Sequence, residues 1–184
     1  SVCRLPPVMS QTPTSAQAAA DASPTALPIL EQRRLEANIL KHVYEVLLEQ
    51  VGREQARQLI DRIVRQAAVA QGAAFAQALG RAPTLQDFAD ILPNWTREDA
   101  LRIDTLHASA DRLDFNVTRC RYAEMYQSMG LGELGPLLSC NRDGSFCTGY
   151  NPNIKLTRTQ TLMQGATHCD FRYRLTDSSA DSAS

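Results

Sequence analysis

The chain has 184 residues, 19 basic and 20 acidic side chains and a formal net charge of −1, which is long enough for one domain with a real core. That balance argues against a general nucleic-acid binder, which would carry a basic patch or stripe. No apolar run approaches the roughly 18 residues of a membrane span, so neither nucleic acid nor a membrane is an expected partner.

Residues 1 to 27 are rich in Ser, Thr, Ala, Gln and Pro and poor in large apolar residues, and are read as a disordered leader. Met9 could be an alternative start, which would leave Cys3 in a dispensable segment. The first residues show one arginine and no apolar stretch, so no secretory signal is expected. The five cysteines, an odd number, are accordingly expected as reduced thiols in a cytoplasmic protein. Residues 28 to 175 are read as a single domain, and 176 to 184 as a loose tail.

Leu35, Ile39, Val43 and Leu47 recur at helical spacing and predict a helix over about 29–51 that ends at Gly52. A second helix is predicted over about 53–79, with Ala56, Leu59, Ile60, Ile63, Val64, Ala67, Phe75 and Ala78 facing inward. Gly72 should weaken its middle by about 1 kcal/mol relative to alanine. The short connection makes the two helices antiparallel neighbours, and their broad apolar faces could serve a homo-oligomer as well as a core. Thr84 and Asp87 form a capping-box pattern at the start of a short helix that Pro93 should end.

The pattern then changes to β. Residues 101–107 and 113–119 read as a hairpin, with Leu113, Phe115 and Val117 on one face. A helix is predicted over about 121–129 and another over about 133–139, followed by a turn at Asn141-Arg-Asp-Gly144. Residues 154–163 and 169–175 complete an antiparallel sheet of about four strands. The expected fold class is α+β: an N-terminal helical hairpin packed with that sheet and short helices.

Chemistry-bearing residues concentrate between Cys120 and Tyr173, where four of the five cysteines lie beside Glu124, Glu133, Asp143, His168 and Asp170. There is no C-x-x-C pair, Walker loop, G-x-S-x-G or H-E-x-x-H, so common zinc-ribbon, nucleotide and hydrolase readings have no motif behind them. No cofactor is expected, although a zinc site assembled from distant cysteines and His168 stays open. Cys140 has Arg142 to favour thiolate and Asp143 to move protons, but it is placed at a helix C-terminus, which disfavours an anion. Cys120 is placed at a helix N-terminus, which would lower its pKa. Cys147 reads as packing. Lys155 and Arg158 are three apart, so on a regular strand only one can reach a given pocket. Arg158, with Thr159 and Thr161 nearby, suits a carboxylate-bearing ligand.

The motifs Cys120-Arg-Tyr-Ala-Glu124, Leu131-Gly-Glu-Leu-Gly135, Cys140-Asn-Arg-Asp143, Asn151-Pro-Asn153, Arg158-Thr-Gln-Thr161 and Gly165 with Cys169-Asp-Phe-Arg-Tyr173, in that order, resemble the L-2-amino-thiazoline-4-carboxylic acid hydrolase family. The resemblance implies a hydrolase that opens a small heterocyclic C=N ring, the thiazoline becoming N-carbamoyl-L-cysteine. On that reading Cys140 is the nucleophile and Asp143 the acid/base, with Cys120 and Glu124 as second choice. Cys169 and Asp170 line or support the site. Arg158 grips an anion, and Thr159, Thr161, Asn153 and Glu133 are further candidates for substrate contact. The ending Gly-x-x-x-Cys-x-Phe also resembles 4-vinyl reductase-type ligand-binding domains, which keeps a non-catalytic, sensor-like binding module as an alternative beside a metal-dependent hydrolase.

Overall fold

The computed structural model describes residues 27 to 176. The expected leader, with Cys3 and Met9, and the expected tail lie outside the described residues, apart from Leu27 and Thr176. Helix α1 spans Ile29–Val51 and α2 spans Arg53–Leu79, as their periodicity and bounding glycines predict. Helix α3, Leu85–Ile91, begins with the full capping box: Thr84 and Asp87 each bond the other's backbone N–H. The helix ends just before Pro93, as expected. Pro93 takes the first position of a further single turn, Pro93–Thr96, where its missing N–H costs nothing.

Strands β1 (Leu101–Ala108) and β2 (Arg112–Cys120) form the expected hairpin. Helix α4 (Arg121–Ser128) follows directly. After α5 (Asn141–Tyr150) come the short β3 (Ile154–Thr157) and β4 (Cys169–Leu175). All pairings are antiparallel, in the order β1-β2-β4-β3. The class is α+β, with Leu113, Phe115 and Val117 of β2 and Cys169, Phe171 and Tyr173 of β4 buried on one face of the sheet. Among the described residues no helix is long and apolar enough to cross a membrane.

Four local expectations need correction. The predicted turn at Asn141–Gly144 is the first turn of α5, entered from a π-helical turn at Pro136–Cys140. Its polar side chains find partners on other helices: the Asn141 amide donates to Asp61 at 2.6 Å, and Arg142 donates to Glu36 at 2.8 Å. Those contacts remove the reason to turn. Second, the predicted strand 154–163 stops at Thr157, so Arg158, Thr159 and Thr161 lie on the connection to β4. Third, α1 turns Ile29, Arg33 and Ala37 inward, while Leu35 and Ile39 of the predicted stripe are exposed. The buried Arg33 is held by Glu36 and by Gln71 of α2 at 2.7 Å each, and this pairing sets the rotation of α1. Fourth, α2 buries Ala56, Ile60, Val64, Ala68 and Gly72, whereas Ile63, Ala67 and Ala78 face outward.

The burial of Gly72 explains its presence. A methyl group built there would overlap the Phe146 carbonyl oxygen, and one built on Gly149 would overlap the Val69 carbonyl oxygen. Helices α2 and α5 therefore cross backbone to backbone, and a side chain at either glycine would force them apart. Gly72→Ala and Gly149→Ala should each lower unfolding free energy by about 2 kcal/mol or more, although alanine is the better helix former by about 1 kcal/mol. Gly144, on α5 but with nothing within 4 Å of its missing methyl, is the control and should gain stability as alanine. Urea denaturation of the three variants measures this, and a G72A protein as stable as wild type would contradict the close crossing.

Candidate functional site

Between the inner face of the sheet and helices α2, α3 and α5 lies a cavity. Its volume is about 100 Å³. A single water needs roughly 10–15 Å³, so the space is several times that of one water. Cys120, Cys140 and Cys169 all line it, together with Asp143 and Arg158. The three thiols arrive from the end of β2, the π-helical turn and the start of β4, and no sequence spacing announces that they meet.

Asp143 faces the cavity from the first turn of α5. Its carboxylate accepts from Arg158 Nη1 at 2.5 Å, and Arg158 Nη2 donates to the Cys140 carbonyl oxygen at 2.9 Å. The Arg158 guanidinium also lies 4.9 Å from the centre of the Phe171 ring, a cation–π distance. Asp143 is half-buried, with 31% of its side-chain surface accessible, and lines the cavity. Burial pushes its carboxyl above the ordinary carboxylate range; the charge of Arg158, then its hydrogen bond, then Arg142 and Arg33 pull it back without cancelling the effect.

Two further arginines border the cavity. Arg33, with 5% of its side chain exposed, and Arg142 both bind the Glu36 carboxylate, at 2.7 and 2.8 Å. Arg33, Arg142 and Arg158 are three cations against two anions, Glu36 and Asp143, so one positive charge is left over. Burial, then the neighbouring Arg33, makes the charged form of Arg142 less favourable than usual. A ligand anion at this end would relieve both effects.

All the described thiols are driven toward the neutral form. Burial is the largest cause in each case, raising Cys120 to about 11 and Cys140 and Cys147 to about 12, and raising Cys169 as well. For Cys140 the Asp143 carboxylate adds to the rise and Arg158 opposes it. Cys120 does cap α4, its sulfur accepting from the Ala123 N–H at 3.4 Å, but desolvation outweighs that bond. The helix C-terminus expected at Cys140 does not exist, since the π-helical turn runs on into α5. Cys147 is buried in the core and does not line the cavity.

The remaining candidates lie elsewhere. Glu124 is exposed and paired with Arg119 at 3.0 Å, and Glu133 is exposed and paired with Arg53 at 3.1 Å. Asp170 accepts from Thr159 N–H at 2.9 Å, Thr159 Oγ1 at 2.6 Å and Gln160 N–H at 2.9 Å. This clamp holds the connection that aims Arg158 inward. Thr161 is buried and accepts from the Gln164 N–H, capping a 3₁₀ turn. Asn153 accepts from the Thr176 N–H through its carbonyl at 2.9 Å. Among the described residues no group of three or more His, Cys, Asp or Glu is arranged to hold a metal ion. Sequence reasoning missed Arg33, Gln71, Ser139, Tyr122 and the aromatic lining. Only Arg33 left a usable signal, an arginine in helical register between the buried Ile29 and Ala37.

The model of the L-2-amino-thiazoline-4-carboxylic acid hydrolase family matches residues 32–173. No curated protein matches the chain. Among solved structures, the phenol-responsive sensory domain of the transcription activator PoxR, with phenol, is 14% identical with a TM-score of 0.45, covering 86% of this chain and 74% of that one. A trafficking protein particle complex subunit 3 from Naegleria fowleri, covalently bound to palmitic acid, is 10% identical with a TM-score of 0.48, covering 79% of this chain and 96% of that one.

Neutral buried thiols have a chemical consequence. At pH 7.4 iodoacetamide should modify Cys120 and Cys140 at least about a hundredfold more slowly than free cysteine, with rates still climbing above pH 9, and Cys169 more slowly than free cysteine. Peptide mass spectrometry over a pH series reads this. An alkylation rate that levels off near pH 7 would show that a local charge, not burial, controls the thiol.

Proposed function

We propose, because this chain belongs to the L-2-amino-thiazoline-4-carboxylic acid hydrolase family, that it opens a small carboxylate-bearing C=N heterocycle by adding water. The observation that carries the reading is the Asp143–Arg158 pair facing a cavity that also receives Cys140 and a surplus of buried arginine charge. A protonated cyclic amidine pairs with the Asp143 carboxylate, and its own carboxylate takes the positive charge left over among Arg33, Arg142 and Arg158. This orients the ring carbon toward the thiols.

With Cys140 raised to about 12, thiolate at neutral pH is on the order of one part in 10⁵, so a standing thiolate is not the nucleophile. Cys140 instead gives its proton to Asp143 as its sulfur adds to the ring carbon. In a thiazoline the ring carbon–sulfur bond then breaks, and the departing sulfur receives the proton from Asp143. Water next displaces the Cys140 sulfur: Asp143 takes one of the water's protons and returns it to the thiol, and the remaining proton, which the substrate brought as its amidinium, leaves to solvent as the carbonyl forms. The product is the carbamoyl compound, and the enzyme ends unchanged. The cationic amidine assists the first transfer, because a positive charge beside the thiol favours its ionised form.

Turnover is measured as a mass gain of one water across a panel of cyclic amidines, hydantoins and lactams. Cys140→Ala should lower kcat on the best substrate at least about a thousandfold, and near-normal turnover by this variant would assign the attack to water. Asp143→Asn should cost about 10²–10⁴ in kcat/KM.

The pH dependence carries a sign. Asp143 acts first as a base, so activity is present above its pKa and lost as pH falls through it. Since burial raises that pKa above 3.8, the acid limb should lie above pH 3.8. Arg158→Gln removes a lowering influence and should move the limb to higher pH. An unmoved limb would take Asp143 out of the role.

A further inference from the structure

The charged groups account for only part of the cavity. Phe115 and Phe171, neighbours across β2 and β4, stack at 4.9 Å between ring centres with 16° between planes. Phe88 of α3, Trp95 of the single turn and Phe146 of α5 also line the cavity, with Ile103 of β1 beside them. These helical rings brace one another: Trp95 meets Phe146 edge-on at 5.3 Å, and Phe88 lies 6.2 Å from Phe146. None of the six side chains can bond to an amidine nitrogen or a carboxylate, apart from the Trp95 indole N–H. A bare aminothiazoline carboxylate, polar around most of its edge, would satisfy the arginines and Asp143 and make no use of this apolar side, whose four phenylalanines are buried.

We propose that the ring opened here carries, besides its carboxylate, an aryl or similarly bulky apolar substituent that seats among Phe88, Trp95, Phe115, Phe146 and Phe171. The inference rests on the ring-opening reading for the identity of the reacting part and on the lining for the substituent. The cavity of about 100 Å³ is smaller than the roughly 150 Å³ that takes one benzene, so the buried rings part to admit the substituent. The substituent's own apolar area taken from water drives the seating, and the rings add offset and edge contacts to a flat group. The substituent takes no part in bond making or breaking. It fixes the ring's position, so its binding energy also serves orientation at Asp143 and Cys140.

Trp95 is the chain's one tryptophan and lines the cavity, so its fluorescence reports occupancy directly. Three probes are titrated into the full chain: 2-amino-thiazoline-4-carboxylate, its 5-phenyl derivative, and the 5-phenyl compound without the carboxylate. Release of thiol from each is followed in parallel. The expected result is that the phenyl carboxylate binds at least about tenfold more tightly than the unsubstituted ring. Losing the carboxylate should cost it about tenfold or more. Ile103→Trp, which fills the apolar side at a half-buried position, should bring the phenyl preference down to about one, read by calorimetry because it adds a second indole. Equal or weaker binding of the phenyl carboxylate overturns the proposal. If both carboxylates are opened with equal kcat/KM and equal affinity, the hydrolase reading stands and the substituent falls. If the phenyl carboxylate binds tightly but no thiol appears, the substituent stands and the ring-opening reading falls.

Discussion

Helices α2 and α5 touch through Gly72 and Gly149, and the rest of the molecule is arranged around that contact. With no side chains between them, the α5 backbone lies against α2. That places the first turn of α5, with Arg142 and Asp143, within reach of residues on α1 and α2. Asn141 bonds Asp61, Arg142 bonds Glu36, and Arg33 reaches across to Gln71. The opposite side of α5 presents Phe146, Cys147 and Tyr150 to the sheet and α3. One helix thus carries the charged end of the cavity and part of its aromatic wall.

The arginines show why such a site is bound to its ligand's charge. Each is desolvated, and each has a carboxylate partner, but the partners are one too few. Burying an unbalanced cation is costly unless something supplies the missing charge. Arg158 is further committed to Asp143, the Cys140 carbonyl and the Phe171 ring, a set that leaves it little freedom. Its position depends on the Asp170 clamp, which sits outside the cavity and contacts only the connecting segment. Asp170 therefore acts on the site through the geometry of Arg158.

The cysteines illustrate how environment outranks local sequence. Cys120 has a helix N-terminus and Cys140 has an adjacent arginine, both features that favour thiolate. Yet burial against aromatic and aliphatic side chains raises both, and the same cavity wall that brings the thiols together keeps them neutral. On the proposed reading, the reaction couples proton transfer to bond formation, and the proposed proton acceptor, Asp143, is a carboxylate whose own affinity for protons is increased by burial.

Much of the fold is legible in the chain itself because it rests on local rules. Periodicity and terminal glycines bound α1 and α2, the Thr84–Asp87 pattern starts α3, and alternation marks the hairpin of β1 and β2. Residue chemistry likewise singled out Cys140, Asp143 and Arg158. What the chain by itself did not decide was direction and company. The faces of α1 and α2 that turn inward depend on Arg33 meeting Gln71 and on Gly72 meeting Phe146, contacts 38 and 74 residues apart. Asn141-Arg-Asp-Gly144 has a turn's composition but becomes helix because α1 and α2 supply its polar partners. Glu124 and Asp170 look as chemical as Asp143 in sequence, and only packing sends the first to the surface and the second to a loop clamp, leaving the third facing the cavity. Local propensity acts over a few neighbours along the chain, whereas burial and charge act through space, and in this protein the latter decide which residues share the site.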